Sequence, residues 1–228
     1  MKQDKIWDYF QNEGVIHGGF SGARERFITK DLAVGQVVLD IGIGSGGVAR
    51  LAFSKGVDIH ALDPSDRAIE RLRSELHIGN KAQIGTAQKI PFDDGIFDVV
   101  VMSEVLEHLN DSILTAALSE VRRVLVPSGI FLVTVPYREV LDAGMVICPD
   151  CGKTFHRWGH EQSFDRSKIK RVLNDNGYEI ERIRITTFVD WRRKGFRQFI
   201  KSLLRLALAR MGEGIADPHI VCLARKAG

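Results

Sequence analysis

An alternation limits this chain more than any other feature. From residue 37 onward, short apolar, β-branched runs at 37–41, 59–63, 82–86, 97–102 and 130–135 are separated by longer amphipathic stretches. Runs of that kind suit strands covered on both faces, and the stretches at 47–55, 66–76 and 112–125 suit the helices that cross between parallel strands. Two more runs, at 178–188 and 219–224, read as a further pair of strands. The expected architecture is α/β, a parallel sheet with helices on both faces.

Around that frame the chain divides simply. Residues 1–36 read as an N-terminal helical cap, with Trp7, Phe10, Phe27 and Ile28 on buried faces. Residues 37–228 form the main domain, interrupted by a Cys/His loop at 142–162 and a basic helical insertion at 191–211. Ser163-Phe164-Asp165 reads as a helix start, and Asn176-Gly177 as its stop. No apolar run reaches the roughly 18–20 residues that span a bilayer, and Met1 to Asp8 lacks the apolar core of a secretion signal. Three cysteines, an odd number, argue against a disulfide framework, so a cytoplasmic protein is expected. A net charge of +3 is too small to imply a nucleic-acid partner by itself.

The run Val38-Leu39-Asp40-Ile41-Gly42-Ile43-Gly44-Ser45-Gly46-Gly47 is a strand entering a glycine-rich turn and then a helix. Glycines let the backbone pass close to a ligand and take positive φ without a clash. A second strand ends in Asp63, placed to accept from two ribose hydroxyls. Leu62-Asp63-Pro64-Ser65 follows, then Gly85-Thr86-Ala87-Gln88-Lys89-Ile90-Pro91-Phe92, the stretch from Phe97 to Leu109, and the turn Pro127-Ser128-Gly129. Taken in order over residues 37–136, this series resembles the class I S-adenosylmethionine-dependent methyltransferases. The resemblance implies a Rossmann-like, seven-stranded, mostly parallel sheet with an antiparallel last strand. It implies that Asp40, Gly42, Gly44 and Gly46 cradle the amino-acid end of S-adenosylmethionine. Asp63 and Pro64 would serve the ribose, Thr86, Ala87 and Gln88 the adenine, and Ser103 would complete the set. Many relatives carry an acid where Thr86 stands. A dehydrogenase is the rival for a glycine turn with a ribose acid, but no Tyr-x-x-x-Lys pair for hydride transfer is present. An Asn/Asp-Pro-Pro-Tyr signature is also missing, with Ser103-Glu104-Val105 in its place.

Two metal sets compete. Cys148 and Cys151, followed by His156 and His160, offer four ligands in one loop, as tetrahedral zinc requires; the alternative is two free thiols with surface histidines. The second set is Glu104, Glu107 and His108, spaced to share a helix face just after the fourth strand. It looks like the arrangement in small-RNA 3′-terminal 2′-O-methyltransferases and some ubiquinone-pathway O-methyltransferases. That resemblance adds His160 as a ligand to another divalent metal ion. The alternative is scaffolding at a helix start. Both sets claim His160. His17 and His219 read as structural or surface residues.

From 192 to 210 the chain carries Arg192, Arg193, Lys194, Arg197, Lys201, Arg205 and Arg210 with no acid. Phe196, Phe199, Ile200, Leu203, Leu204, Ala207 and Leu208 recur at helical spacing. The stripe predicts packing on the domain, with a substrate cap or a peripheral contact with an anionic surface as alternatives. The function expected is methyl transfer from S-adenosylmethionine to an oxygen, with His108 or His160 as general base and Glu104 orienting. Small-molecule, lipid, glycan and RNA acceptors all remain open. So do an RNA-binding or RNA-terminus-methylating protein and a catalytically silent scaffold subunit.

Overall fold

The computed structural model describes residues 6, 21–189, 196–212 and 214–228. Trp7, Phe10, His17, Arg192, Arg193 and Lys194 lie outside the described residues, as does most of residues 1–20 of the expected 1–36 cap. In chain order the elements are α1 (Ser21–Thr29), β1 (Val37–Ile41), α2 (Gly47–Ser54), β2 (Asp58–Asp63), α3 (Asp66–Leu76) and β3 (Ala82–Ile84). Then come β4 (Phe97–Ser103), α4 (Asp111–Val124), β5 (Leu125–Pro136), β6 (Met145–Ile147) and β7 (Thr154–His156). The chain closes with α5 (Arg166–Asp175), β8 (Tyr178–Thr186), α6 (Phe196–Met211) and β9 (His219–Lys226).

Seven strands form one sheet in the order β3-β2-β1-β4-β5-β9-β8. The first five run parallel, and β9 runs antiparallel to both β5 and β8. From β1 the chain builds outward to β2 and β3, then returns to place β4 on its other side. Such a reversal opens a crevice at the carboxyl ends of the strands, where α/β sheets bind ligands. Alternate residues serve opposite cores. Leu39, Val100 and Phe131 pack toward α4 and α5, while Val38, Ile59 and Val101 pack toward α2 and α3. Each such fully buried side chain contributes about 1.5–3 kcal/mol.

Local chemistry sets the helix starts. Ser65 Oγ accepts from the Ala68 amide at 3.3 Å, Asn110 Oδ1 from Ile113 at 3.1 Å, and Asp165 Oδ1 from Lys168 at 2.8 Å. The third strand ends two residues before the expected 86, because Thr86 leaves the sheet to bridge Lys89. The basic helix differs more. Ile200, Leu203 and Leu204 are 40%, 45% and 59% exposed, whereas Ala209 is fully buried. The expected packing stripe therefore faces outward over its described part, and α6 docks on its Leu206–Ala209 side, with Arg205 Nε donating to the Ala216 carbonyl. No helix among the described residues is long and apolar enough to cross a membrane.

Candidate active site

The glycine turn leaves β1 at the crevice. Gly42 has φ +74, its amide donates to the Leu62 carbonyl, and a Cβ there would lie 2.5 Å from Val105 Cγ2. Gly44, at φ +53, would present a Cβ to open space. The first glycine thus seats the turn against the segment after β4, and the second leaves room for a ligand. Gly46, at φ +83, is the N-cap residue of α2.

Asp40 is 2% exposed, and its Oδ2 has no partner among the described residues. Burial pushes its carboxyl up to about 7, the charges of Asp63 and Glu25 add to this, and the Ala49 amide opposes it. A cationic ligand group beside Asp40 would remove that cost. Asp63, fully buried at the end of β2, accepts from the Ser65 amide at 2.9 Å, and Pro64 is exposed beside it. Ala87 is buried between exposed Thr86 and Gln88. A glycine cradle with open space, an unpartnered buried carboxylate and a second acid one strand away fit S-adenosylmethionine.

After β4 the expected geometry changes. Glu104 has φ +58, and only Leu106–His108 form a single tight turn before α4. A left-handed residue lies outside the helical path, so Glu104, Glu107 and His108 are not arranged along one helix face. It turns toward β5 and β9 instead. Thr134 Oγ1 donates to its Oε1 at 2.7 Å, His219 Nε2 lies 3.1 Å from its Oε2, and Arg24 stands at 3.7 Å. Ser103 Oγ meets the same Thr134 hydroxyl at 2.9 Å. Burial opposes ionisation of Glu104, but His219, Arg24 and Thr134 outweigh it and hold the carboxyl at about 2. Burial lowers the His219 pKa, yet Glu104 reverses this and the net shift is upward. His219 Nδ1 also faces the Asp217 carbonyl at 3.0 Å. Both ring nitrogens are directed at acceptors, an arrangement that favours the imidazolium and clamps His219 to Glu104. Of the two expected roles, structural or surface, the structure shows the first: His219 is buried and paired with Glu104 rather than alone.

Glu107, His108 and His160 converge, with one ligand atom of each within 4.8 Å of the others. Both Glu107 carboxylate oxygens are buried without partners, and burial followed by the Glu104 charge raises its carboxyl well above the usual range. Burial and then His160 push His108 down to about 4, while its Nδ1 faces the Gly159 carbonyl at 3.3 Å. His160 Nδ1 meets Glu139 Oε2 at 2.5 Å, and its ring centroid lies 4.7 Å from that of His108. Glu104 is not part of this group.

The four-ligand zinc set is likewise not assembled. β6 and β7 form a hairpin in which Met145 pairs with His156 and Ile147 with Thr154. Cys148 and Cys151 sit at its tip and His156 at its base, roughly 10 Å apart at 3.4 Å per residue. There His156 stacks on His160 at 4.8 Å, and its Nδ1 accepts from the His160 amide at 3.1 Å. Both histidines face Glu139 rather than the thiols. Sequence reasoning missed Glu139, Arg24 and His219. Only the strand register, which pairs Pro136 with His219, brings the last of these to Glu104.

A family described as methyltransferase domain matches residues 39–133. Phosphoethanolamine N-methyltransferase 2 of Caenorhabditis elegans is 36% identical over 109 residues, covering 46% of this chain and 24% of that protein. A sarcosine/dimethylglycine N-methyltransferase of Halorhodospira halochloris is 34% identical over 119 residues, covering 50% and 42%. The chain spans 24%, 54% and 38% of the length of the first three curated relatives it matches. Among solved structures, the Burkholderia thailandensis 1,6-didemethyltoxoflavin-N1-methyltransferase, with its substrate and S-adenosylhomocysteine bound, superposes with a TM-score of 0.68. The superposition covers 99% of this chain and 87% of that one at 14% identity, a likeness of fold. Residues 39–133 thus match the methyltransferase domain family, and the strand order and these neighbours give the chain the Rossmann-like fold of the class I S-adenosylmethionine-dependent methyltransferases.

Proposed function

We propose that the chain transfers a methyl group from S-adenosylmethionine to an oxygen of its acceptor. The observation that carries this reading is a buried group of proton acceptors at the carboxyl end of β4, beside the glycine turn. S-adenosylmethionine supplies an electrophilic methyl on a sulfonium, so the protein's tasks are alignment, exclusion of water and removal of one proton. An oxygen nucleophile needs that proton taken as it attacks.

His160 suits the task best. Its Nδ1–H is directed at the Glu139 carboxylate, which fixes the tautomer and leaves Nε2 to accept. His108 stays neutral at pH 7, with Nδ1 toward the Gly159 carbonyl, and its ring helps shape the acceptor side of the site. Glu104 acts through position, binding Thr134, His219 and Arg24 and so holding β5, β9 and α1 around the reacting end.

A second reading follows from the unpartnered oxygens of Glu107. With His108 and His160 they make a two-imidazole, one-carboxylate set suited to zinc or another divalent ion, which would lower the pKa of an acceptor hydroxyl. Elemental analysis of the purified protein separates the two, since His160 is ligand in one and base in the other. The main reading is tested with methyl-13C S-adenosylmethionine, the protein and a small-molecule extract. The label is expected on oxygen and is expected to be lost with His160→Ala. A labelled N-methyl product, the chemistry named for both curated relatives above, would overturn the oxygen assignment.

A further inference from the structure

A cavity of about 920 Å³ lies between α1, β8 and α6. That volume sits within the roughly 300–1,000 Å³ range of small-molecule sites. Its charge is one-sided. Arg26, Lys30, Arg166, Arg184 and Arg210 line it, and no Asp or Glu does among the described residues. Lys30 is partly neutralised by Asp31 at 3.8 Å, but Arg166, Arg184 and Arg210 have no ion-pair partner among the described residues. Cations gathered in one concave site repel each other, and the low-dielectric walls focus their field on any anion that enters.

The rest of the lining is apolar. Phe27, Ile185, Val189 and Leu206 contribute hydrocarbon and ring surface. A bare oxyanion would leave those side chains uncovered, and a neutral lipid would leave Arg166, Arg184 and Arg210 unanswered. A cationic ligand would be repelled. The lining therefore asks for one molecule bearing both an anionic group and an apolar body.

The cavity lies at the reacting end of the sheet. β8 runs parallel to β5, so Thr186 and Thr187 approach the same edge as Thr134. Phe188 packs on cavity-lining Phe27 at 5.6 Å and on His219 at 5.1 Å, and His219 holds Glu104. Ala23, another wall residue, precedes Arg24, which reaches Glu104 as well. We propose that this cavity takes the anchoring end of the methyl acceptor, a small molecule in which phosphate or another oxyanion is joined to a hydrocarbon or aromatic body. The identification of this ligand as the acceptor rests on the methyl-transfer reading above; the cavity's preference for an anionic amphiphile does not.

The test is isothermal titration of the full chain with octyl phosphate, octyl glucoside and inorganic phosphate, each below any micelle-forming concentration. S-adenosylhomocysteine is titrated into the same sample. Octyl phosphate is expected to bind at one site per chain, well above both controls. Arg184→Glu combined with Arg210→Glu, at exposed positions, is expected to weaken it by about tenfold or more through loss of charge-assisted contacts, with S-adenosylhomocysteine affinity unchanged. Equal binding of octyl glucoside, or of inorganic phosphate alone, overturns the proposal, as does wild-type affinity in a folded double variant. Octyl phosphate binding without S-adenosylhomocysteine binding upholds the cavity and overturns methyl transfer. The reverse pattern overturns the cavity alone.

Discussion

Asp40 is the residue at which the proposed cofactor binding and protonation would meet. Its carboxyl, raised to about 7 by burial and then by Asp63 and Glu25, keeps a proton in the free protein below that pH. A bound cation favours the carboxylate, so binding releases the proton. Affinity for S-adenosylmethionine is expected to rise by as much as about tenfold per pH unit below 7 and to level off above it. Titration in buffers of different ionisation enthalpy counts the released proton, and an affinity independent of pH would contradict this role. For the free protein, the stability contributed by Asp40 is complete below its unfolded value of 3.8 and is lost as pH rises through about 7. Glu104 acts in the opposite sense. Its contribution is present above its unfolded value of 4.5 and is lost as pH falls through about 2. His219→Ala would strip the main charge partner from partly buried Glu104, and about 2–4 kcal/mol of stability is expected to go with it. A loss below about 1 kcal/mol in urea denaturation would show that Arg24 and Thr134 suffice.

At the scale of elements, the β-strands were far more legible than the connections. Apolar runs such as Val99 to Met102 admit little besides a doubly covered strand, and Asp165 announced the start of α5 by its capping chemistry. The segment after β4 defeated spacing arguments, because one left-handed residue at Glu104 breaks the helical path and its carboxylate pairs with Thr134 and His219. The Cys/His loop defeated them in another way. A hairpin converts closeness along the chain into separation across its length, leaving the thiols at one end and the imidazoles at the other. On α6, helical spacing was right about the helix and wrong about which stripe packs. Leu204→Lys is therefore expected to change stability by no more than about 0.5 kcal/mol, whereas Ala209→Leu should cost about 1–3 kcal/mol by overpacking. Urea denaturation of the two variants decides it, and the reverse order would restore the packed stripe.

Over the whole molecule, the glycine turn, Asp40 and Asp63 were readable because each sits at the end of a strand whose position the sequence dictates. Glu139 and His219 were not, since they reach the site only through the path of the 137–162 segment and the pairing of β9 with β5. The sheet thus brings a half that fits S-adenosylmethionine, encoded locally, against the proposed acceptor half, assembled from distant segments. Everything proposed for the second half depends on the first being alive. The direct measurement is isothermal titration of S-adenosylhomocysteine into the wild-type chain and into Asp63→Ala. Binding at one site is predicted, weakened in the variant by about 2–4 kcal/mol as the ribose hydroxyls lose their carboxylate. Absence of binding to the wild-type chain would contradict the account, leaving a methyltransferase fold without its cofactor.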